Sequence, residues 1–92
     1  TAELERPATK EVINAALKAA SESAGWLGKV LNYTEEPLVS ADLIGDPAST
    51  TVDSLSTDVL DGNFAKIVSW YDNEWGYASR LADLTAYVAE RL

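Results

Sequence analysis

The chain has no cysteine, no histidine and no methionine. Without cysteine there is no disulfide, no thiolate metal ligand and no thiol nucleophile. Without histidine the commonest general base and metal ligand near neutral pH is missing, and no serine or threonine has an imidazole to activate it. Basic residues are few: seven Lys and Arg stand against fifteen Asp and Glu, a net charge of −8. That balance argues against nucleic-acid phosphates and anionic membranes as partners, and it keeps a small domain in solution. No apolar run approaches the roughly 20 residues that span a bilayer, and no secretory leader pattern is recognisable. A cytoplasmic setting is therefore the expectation. Gly25, Gly28 and Gly45 fit neither a three-glycine dinucleotide loop nor a phosphate loop ending in Gly-Lys-Ser/Thr.

What is present is a single small domain spanning residues 1–92, 47% apolar and 24% charged, ordinary proportions for a globular chain. At this length only about 60–65% of the unfolded surface is buried, so the core is expected to be thin. The opening Thr1-Ala2-Glu3-Leu4-Glu5-Arg6 reads as a strand already under way. A piece of a longer protein, or an engineered chain, is expected on that ground.

Alternating residues 2–6 predict a strand that stops at Pro7. Thr9 is placed to cap a helix from Lys10 to about Ser23, with Val12, Ile13, Ala16, Leu17 and Ala20 at helical spacing. Lys29 to Glu35 predict a second strand, ended by Pro37. A right-handed βαβ crossover is the natural joining of these three elements. Residues 37–47 predict a short 3₁₀ turn with Gly45-Asp46-Pro47 as a reversal. The β-branched run Thr50-Thr51-Val52 predicts a strand over 49–54. Asp61-Gly62 is a two-residue hairpin signal joining a short arm at 58–60 to Phe64–Tyr71, a strand apolar on both faces and so expected at the sheet centre. From Glu74 to about Arg91 the spacing of Trp75, Ala78, Leu81, Ala82, Leu84, Thr85 and Val88 predicts an amphipathic helix. The order is read as β-α-β-β-β-α. The expected architecture is α+β, a two-layer sandwich of one mixed β-sheet with two helices on one face. The other face, around Trp70, is expected to present an apolar patch for a partner.

Residues 67–81 are the most informative stretch: an apolar strand, an Asx-rich turn and a helix start within fifteen positions. Asp72, Asn73 and Glu74 serve as helix punctuation, a cap and a favourable charge at the positive end of the dipole. A ligand role competes with that reading for Asn73, which lies where a strand gives way to a helix. Its carboxamide can exchange one donor and one acceptor with another amide. Tyr77, four residues on, shares its helix face and suits a flat heteroaromatic ligand, or is simply a packed ring. Glu35 and Glu36 with Asp42 or Asp46 make a poor acid/base pair, since adjacent strand residues point to opposite faces. The remaining acidic residues read as solvated surface, and Thr34-Glu35-Glu36 has no metal-ligand spacing.

Trp70-Tyr71-Asp72-Asn73-Glu74-Trp75-Gly76-Tyr77 with Arg80-Leu81 resembles the C-terminal signature of glyceraldehyde-3-phosphate dehydrogenases. Leu4 to Glu11, Leu31 to Ser40, Gly45-Asp46-Pro47 and Asp61-Gly62-Asn63 resemble the same family in the same order. The resemblance therefore covers nearly the whole chain, as the last quarter or so of a full-length glycolytic oxidoreductase. It implies a parent that uses NAD or NADP, bound by a Rossmann domain this stretch does not contain. It also implies aldehyde oxidation through a cysteine thiohemiacetal with a histidine base, neither of them in this stretch. By the resemblance Asn73 contacts the nicotinamide carboxamide and Tyr77 packs near that ring. No catalytic residue and no metal ligand carries over. The implied partners are the remainder of the dehydrogenase or identical chains, met through the open sheet face in a homo-oligomer. The chain alone is expected to be inactive and to bind no cofactor tightly. The alternative is a stand-alone engineered or excised module that self-associates or complements a partner fragment. Three departures bear on that choice. Ala78-Ser79-Arg80 stands where the family reads Ser-Asn-Arg. Ala48-Ser49-Thr50-Thr51 stands where it commonly reads His-Ser-Ser-Ile. Ala82 stands where Val is frequent.

Overall fold

The computed structural model describes residues 1–92. Its elements are β1 (Ala2–Glu3), α1 (Lys10–Ser21), α2 (Trp26–Val30), β2 (Leu31–Thr34), a 3₁₀ turn (Ser40–Leu43), β3 (Thr50–Asp53), a second 3₁₀ turn (Ser54–Ser56), β4 (Asp58–Leu60), β5 (Phe64–Lys66), β6 (Ser69–Trp70) and α3 (Trp75–Ala89). The molecule is a small α+β domain, as its sequence predicts. The strands are divided between two three-stranded sheets, however, ordered β1-β5-β4 and β2-β3-β6.

The division happens inside the run expected to be one central strand. Residues 64–71 break at Ile67 and Val68 into β5 and β6. β5 is central in the first sheet, antiparallel to β1 and β4. β6 is an edge strand of the second, antiparallel to β3. The two-sided apolar pattern reflects a chain that serves two sheets in turn, which period-2 reasoning cannot distinguish from one strand buried on both faces.

The first crossover changes for the same reason. β1 pairs with β5 in one sheet and β2 pairs in parallel with β3 in the other, so α1 does not link neighbouring strands of one sheet. The parallel pair is β2 and β3, and the connection between them carries the predicted 3₁₀ turn. Lys29 and Val30 belong to α2 rather than to a strand. Trp26, Leu27 and Val30 are spaced for one helical turn, and Gly25 before them is extended. The strand proper is only Leu31–Thr34.

Local signals held where they depend on near neighbours. Thr9 caps α1, its Oγ1 accepting from the Val12 N–H at 3.2 Å. Ile13, Leu17 and Ala20 lie on the packed side of α1, while Val12 is 61% exposed. Asn14 shares the packed side and reaches across the chain: its Nδ2 donates to the Ser54 carbonyl at 3.1 Å and its Oδ1 accepts from the Thr57 hydroxyl at 2.7 Å. Asp61 and Gly62 both take positive φ, 53° and 80°, the conformation their types favour. The loop they begin holds three residues rather than two, because Leu60 pairs with Phe64. Its far side holds the N-terminal segment, with the Leu4 N–H donating to Asn63 O at 2.8 Å and the Ala8 N–H to Gly62 O at 2.9 Å.

The core is thin. Only 11 of 92 residues are buried, and the apolar ones among them are Val30, Leu31, Leu43, Ala48, Val52 and Ala65. All but Ala65 belong to β2, β3 or the segments that flank them. The radius of gyration is 15.1 Å, against about 12 Å for a compact chain of this length. The accessible surface is 6510 Å², against about 5,200 Å² for a compact monomer of this mass. α3 contributes to the excess: Trp75, Tyr77, Leu81, Leu84, Tyr87 and Val88 are 46–70% exposed. The expected second helix is thus present, but it does not lie on a sheet face.

These burials give a test. Val52 is 2% exposed and Leu55 is 63% exposed. Urea denaturation should show Val52→Ala losing about 2 kcal/mol and Leu55→Ala less than about 0.5 kcal/mol.

Candidate functional site: the Asp72–Tyr77 turn

The site begins where β6 ends. The Asp53 N–H donates to Val68 O at 3.0 Å, and Thr51 pairs with Trp70. The Trp70 indole Nε1 donates to Asp53 Oδ2 at 3.2 Å, and the Ser56 hydroxyl donates to the same oxygen at 3.0 Å. These bonds fix the end of β6, and two residues later the chain turns into α3.

Asp72 makes that turn. Its Oδ1 accepts from the Glu74 N–H at 2.9 Å and from the Trp75 N–H at 2.8 Å. Its own carbonyl accepts from the Gly76 N–H at 2.8 Å, a helical bond that carries the first turn back to Asp72. Of the two caps proposed from sequence, Asp72 is the one the structure uses. Its other oxygen, Oδ2, accepts from the Gly45 N–H at 2.8 Å, 27 residues away. Gly45 is at φ +82°, a conformation strained for any residue with a Cβ. The Gly45 N–H foremost, then those of Trp75 and Glu74, stabilise the ionised carboxylate and hold the Asp72 pKa below its ordinary value.

Gly76 lets the helix start approach the same segment closely. It is buried, and a Cβ there would lie 3.0 Å from the Ala48 carbonyl oxygen and 3.2 Å from Tyr71 Cδ2. Farther along, Arg80 donates to the Ser49 hydroxyl at 3.1 Å and pairs with Asp83 at 2.9 Å. The segment 45–49 is thus the seat of α3.

Asn73 sits between these fastenings, exposed, in the turn before the helix. Tyr77 follows four residues later and is 70% exposed, on the same side of the helical turn. Neither residue lines the three principal clefts, of about 460, 730 and 370 Å³.

Of the other candidate carboxylates, Glu35 reaches α1 while Asp42 and Asp46 hold their own loops. Glu35 meets Lys18 at 3.4 Å, Asp42 Oδ2 accepts from the Val39 N–H at 2.9 Å, and Asp46 Oδ1 accepts from the Ala48 N–H at 2.9 Å. No cluster of three or more acidic side chains is arranged to hold a metal ion.

The sheet face around Trp70 also differs from expectation. The registers place Asn32, Thr51 and Trp70 in one row and Thr34 and Asp53 in the next, so this face of β2-β3-β6 is polar. Two of its buried atoms, Thr51 Oγ1 and Asp53 Oδ1, have no hydrogen-bond partner. Exposed apolar side chains occur along much of the chain, and α3 carries six of the large ones. Alternation in a single strand shows which residues share a face, but not which rows the neighbouring strands add.

A strand leading through an Asx-capped turn into a terminal helix, with an amide and a phenol exposed at the turn and neither cysteine nor histidine in the chain, defines a class: a small α+β domain. The family model for the glyceraldehyde 3-phosphate dehydrogenase C-terminal domain matches residues 1–73, and the chain belongs to that family. It is similar to glyceraldehyde-3-phosphate dehydrogenase of Geobacillus stearothermophilus, 57% identical over 90 residues, 98% of this chain and 26% of the relative. It is similar to the enzyme of Mycobacterium avium, 55% identical over 92 residues, all of this chain and 26% of the relative. Glyceraldehyde-3-phosphate dehydrogenase 2 of Streptomyces avermitilis is 52% identical over 90 residues, again 26% of its length. The chain thus spans about a quarter of the curated relatives it matches. No helix in it is long and apolar enough to cross a membrane.

The depressed pKa sets a pH response. Ionised Asp72 contributes stability above its unfolded value of about 3.9, and this is lost as pH falls through the lower folded value. The Gly45 and Trp75 amide resonances should therefore titrate together, with a midpoint below that of an ordinary aspartate. Asp72→Asn should abolish the inflection at both.

Proposed function

We propose that these 92 residues serve as the C-terminal part of the catalytic domain of an NAD(P)-dependent phosphorylating glyceraldehyde-3-phosphate dehydrogenase, supplying the nicotinamide-side wall. The observation that carries this reading is the exposed Asn73 and Tyr77, on a turn held at Asp72, in a chain similar to glyceraldehyde-3-phosphate dehydrogenases. An exposed carboxamide presents one donor and one acceptor, which matches the amide of a nicotinamide. The Tyr77 ring beside it offers a flat apolar surface. The cofactor, when bound, supplies a hydride acceptor. The work of this chain is to hold the amide edge and exclude water from one side.

Everything else the reaction requires comes from outside the chain. With no cysteine and no histidine, the covalent route through a thiohemiacetal has neither nucleophile nor base here. The purified chain should show no aldehyde-dependent formation of reduced nicotinamide cofactor, and turnover by it would overturn the reading. A chimera carrying these residues in place of the matching quarter of a full-length relative should be active. In that chimera Asn73→Ala should raise the cofactor KM about tenfold, the size of one lost polar pair. An unchanged KM would remove Asn73 from the cofactor site.

A second reading, a self-associating module, is favoured by α3. Tyr77, Leu81, Leu84 and Val88 are 70%, 51%, 56% and 46% exposed and spaced four, three and four apart, the seam spacing of paired helices. The surface in excess of a compact monomer is roughly 1,300 Å², more than the ~800 Å² a partner commonly buries in a stable complex. Sedimentation velocity should then show a dimer that Leu81→Glu with Leu84→Glu returns to monomer. A strictly monomeric unsubstituted chain would exclude this second reading.

A further inference from the structure

We propose that Asp72 is a positioning residue for this site: its carboxylate ties the Asn73 turn to the Gly45 loop and thereby sets the direction of the Asn73 carboxamide. The inference rests on the reading of Asn73 as the amide-binding residue. A helix cap requires one oxygen, and Oδ1 fills that role alone by accepting from Glu74 and Trp75. The bond from Gly45 to Oδ2, 2.8 Å long, adds nothing to the cap. It joins two loops that are otherwise independent in sequence.

The close approach of Gly76 to Ala48 lies three residues beyond Asn73, while Asp72 immediately precedes it. Asn73 is therefore suspended between two points tied to the same segment, 45–48, and its own side chain is exposed. A paired amide demands orientation to within about 10–20°. Rotation of the turn about its helix end is what the Gly45 bond prevents. The positive φ of Gly45 makes the tether specific at its other end, because a Cβ-bearing residue is strained in the conformation seen there.

Asp72→Asn separates tether from cap. The amide oxygen can still accept from Glu74 and Trp75, but the amide NH₂ then faces the Gly45 N–H, donor against donor. The experiment uses the chimeric full-length dehydrogenase, with steady-state kinetics and thermal denaturation on Asp72→Asn, Asn73→Ala and the double variant. The expected result is a three- to tenfold rise in cofactor KM for Asp72→Asn, roughly the effect of one weakened hydrogen bond, with kcat little changed and the melting temperature lowered by the stability the ionised carboxylate contributes. The double variant should lose no more than Asn73→Ala alone, since the tether acts only through Asn73. Additive losses, or a fall in melting temperature with KM unchanged, would overturn the proposal and leave Asp72 a cap only. An Asn73→Ala variant with unchanged KM would instead overturn the reading on which the proposal depends. Should Asp72→Asn fail to fold, Gly45→Ala strains the other end of the same bond. It must then reproduce the KM rise, and an unchanged KM counts against the tether.

Discussion

The pairing of β3 with its two neighbours is the constraint on which the site depends. β3 takes β2 in parallel on one side and β6 antiparallel on the other, and it contains Val52, 2% exposed. Through β6 it determines where the chain leaves the sheet, because the Thr51–Trp70 register and the Asp53–Trp70 bond locate the last strand residue. Two residues later the Asp72 carboxylate closes the turn. A shift of one position in that register would carry Trp70 to the opposite face and take the indole away from Asp53. The exposed amide of Asn73 is thus placed by hydrogen bonds buried several residues upstream.

Around that strand the remaining structure is lightly held. α3 is attached at its beginning, by Asp72, Gly76 and Arg80, and its later turns expose Leu84, Tyr87 and Val88. A helix gains most of its stability in a protein from packing of its apolar face, and the later turns of this one receive little of it from the rest of the chain. The polar face of the β2-β3-β6 sheet is unfinished in another way, with a buried hydroxyl and a buried carboxylate oxygen left without partners. Both features accord with a chain that makes up about a quarter of the length of its relatives.

Legibility from sequence followed the range of the interactions. Thr9 as a cap, Asp61-Gly62 as a positive-φ turn and Asp72 opening the terminal helix were readable because each bonds within a few residues of itself. The ends of β1 and α2 were not, since Lys29 and Val30 fit a short strand and a short helix equally well. Asn14 was missed as a structural residue: its partners, Ser54 and Thr57, lie 40 and 43 positions away. Gly45 was legible as a turn residue but not as a donor to Asp72. Its only signal is a glycine in a loop, which says nothing about where the N–H points.

The sequence by itself determined the α+β class, the capped turn at 72–77 and the family, because these reside in residue types at short spacing. Only the tertiary structure decided that residues 64–71 would serve two sheets and that Asp72 would find Gly45. It likewise decided that the apolar side of the terminal helix would be left exposed. Those outcomes depend on which distant backbone groups and side chains arrive at the same place. With a core of so few buried residues, that choice is made by strand register and a handful of long-range hydrogen bonds, none of which leaves a periodic trace in the chain.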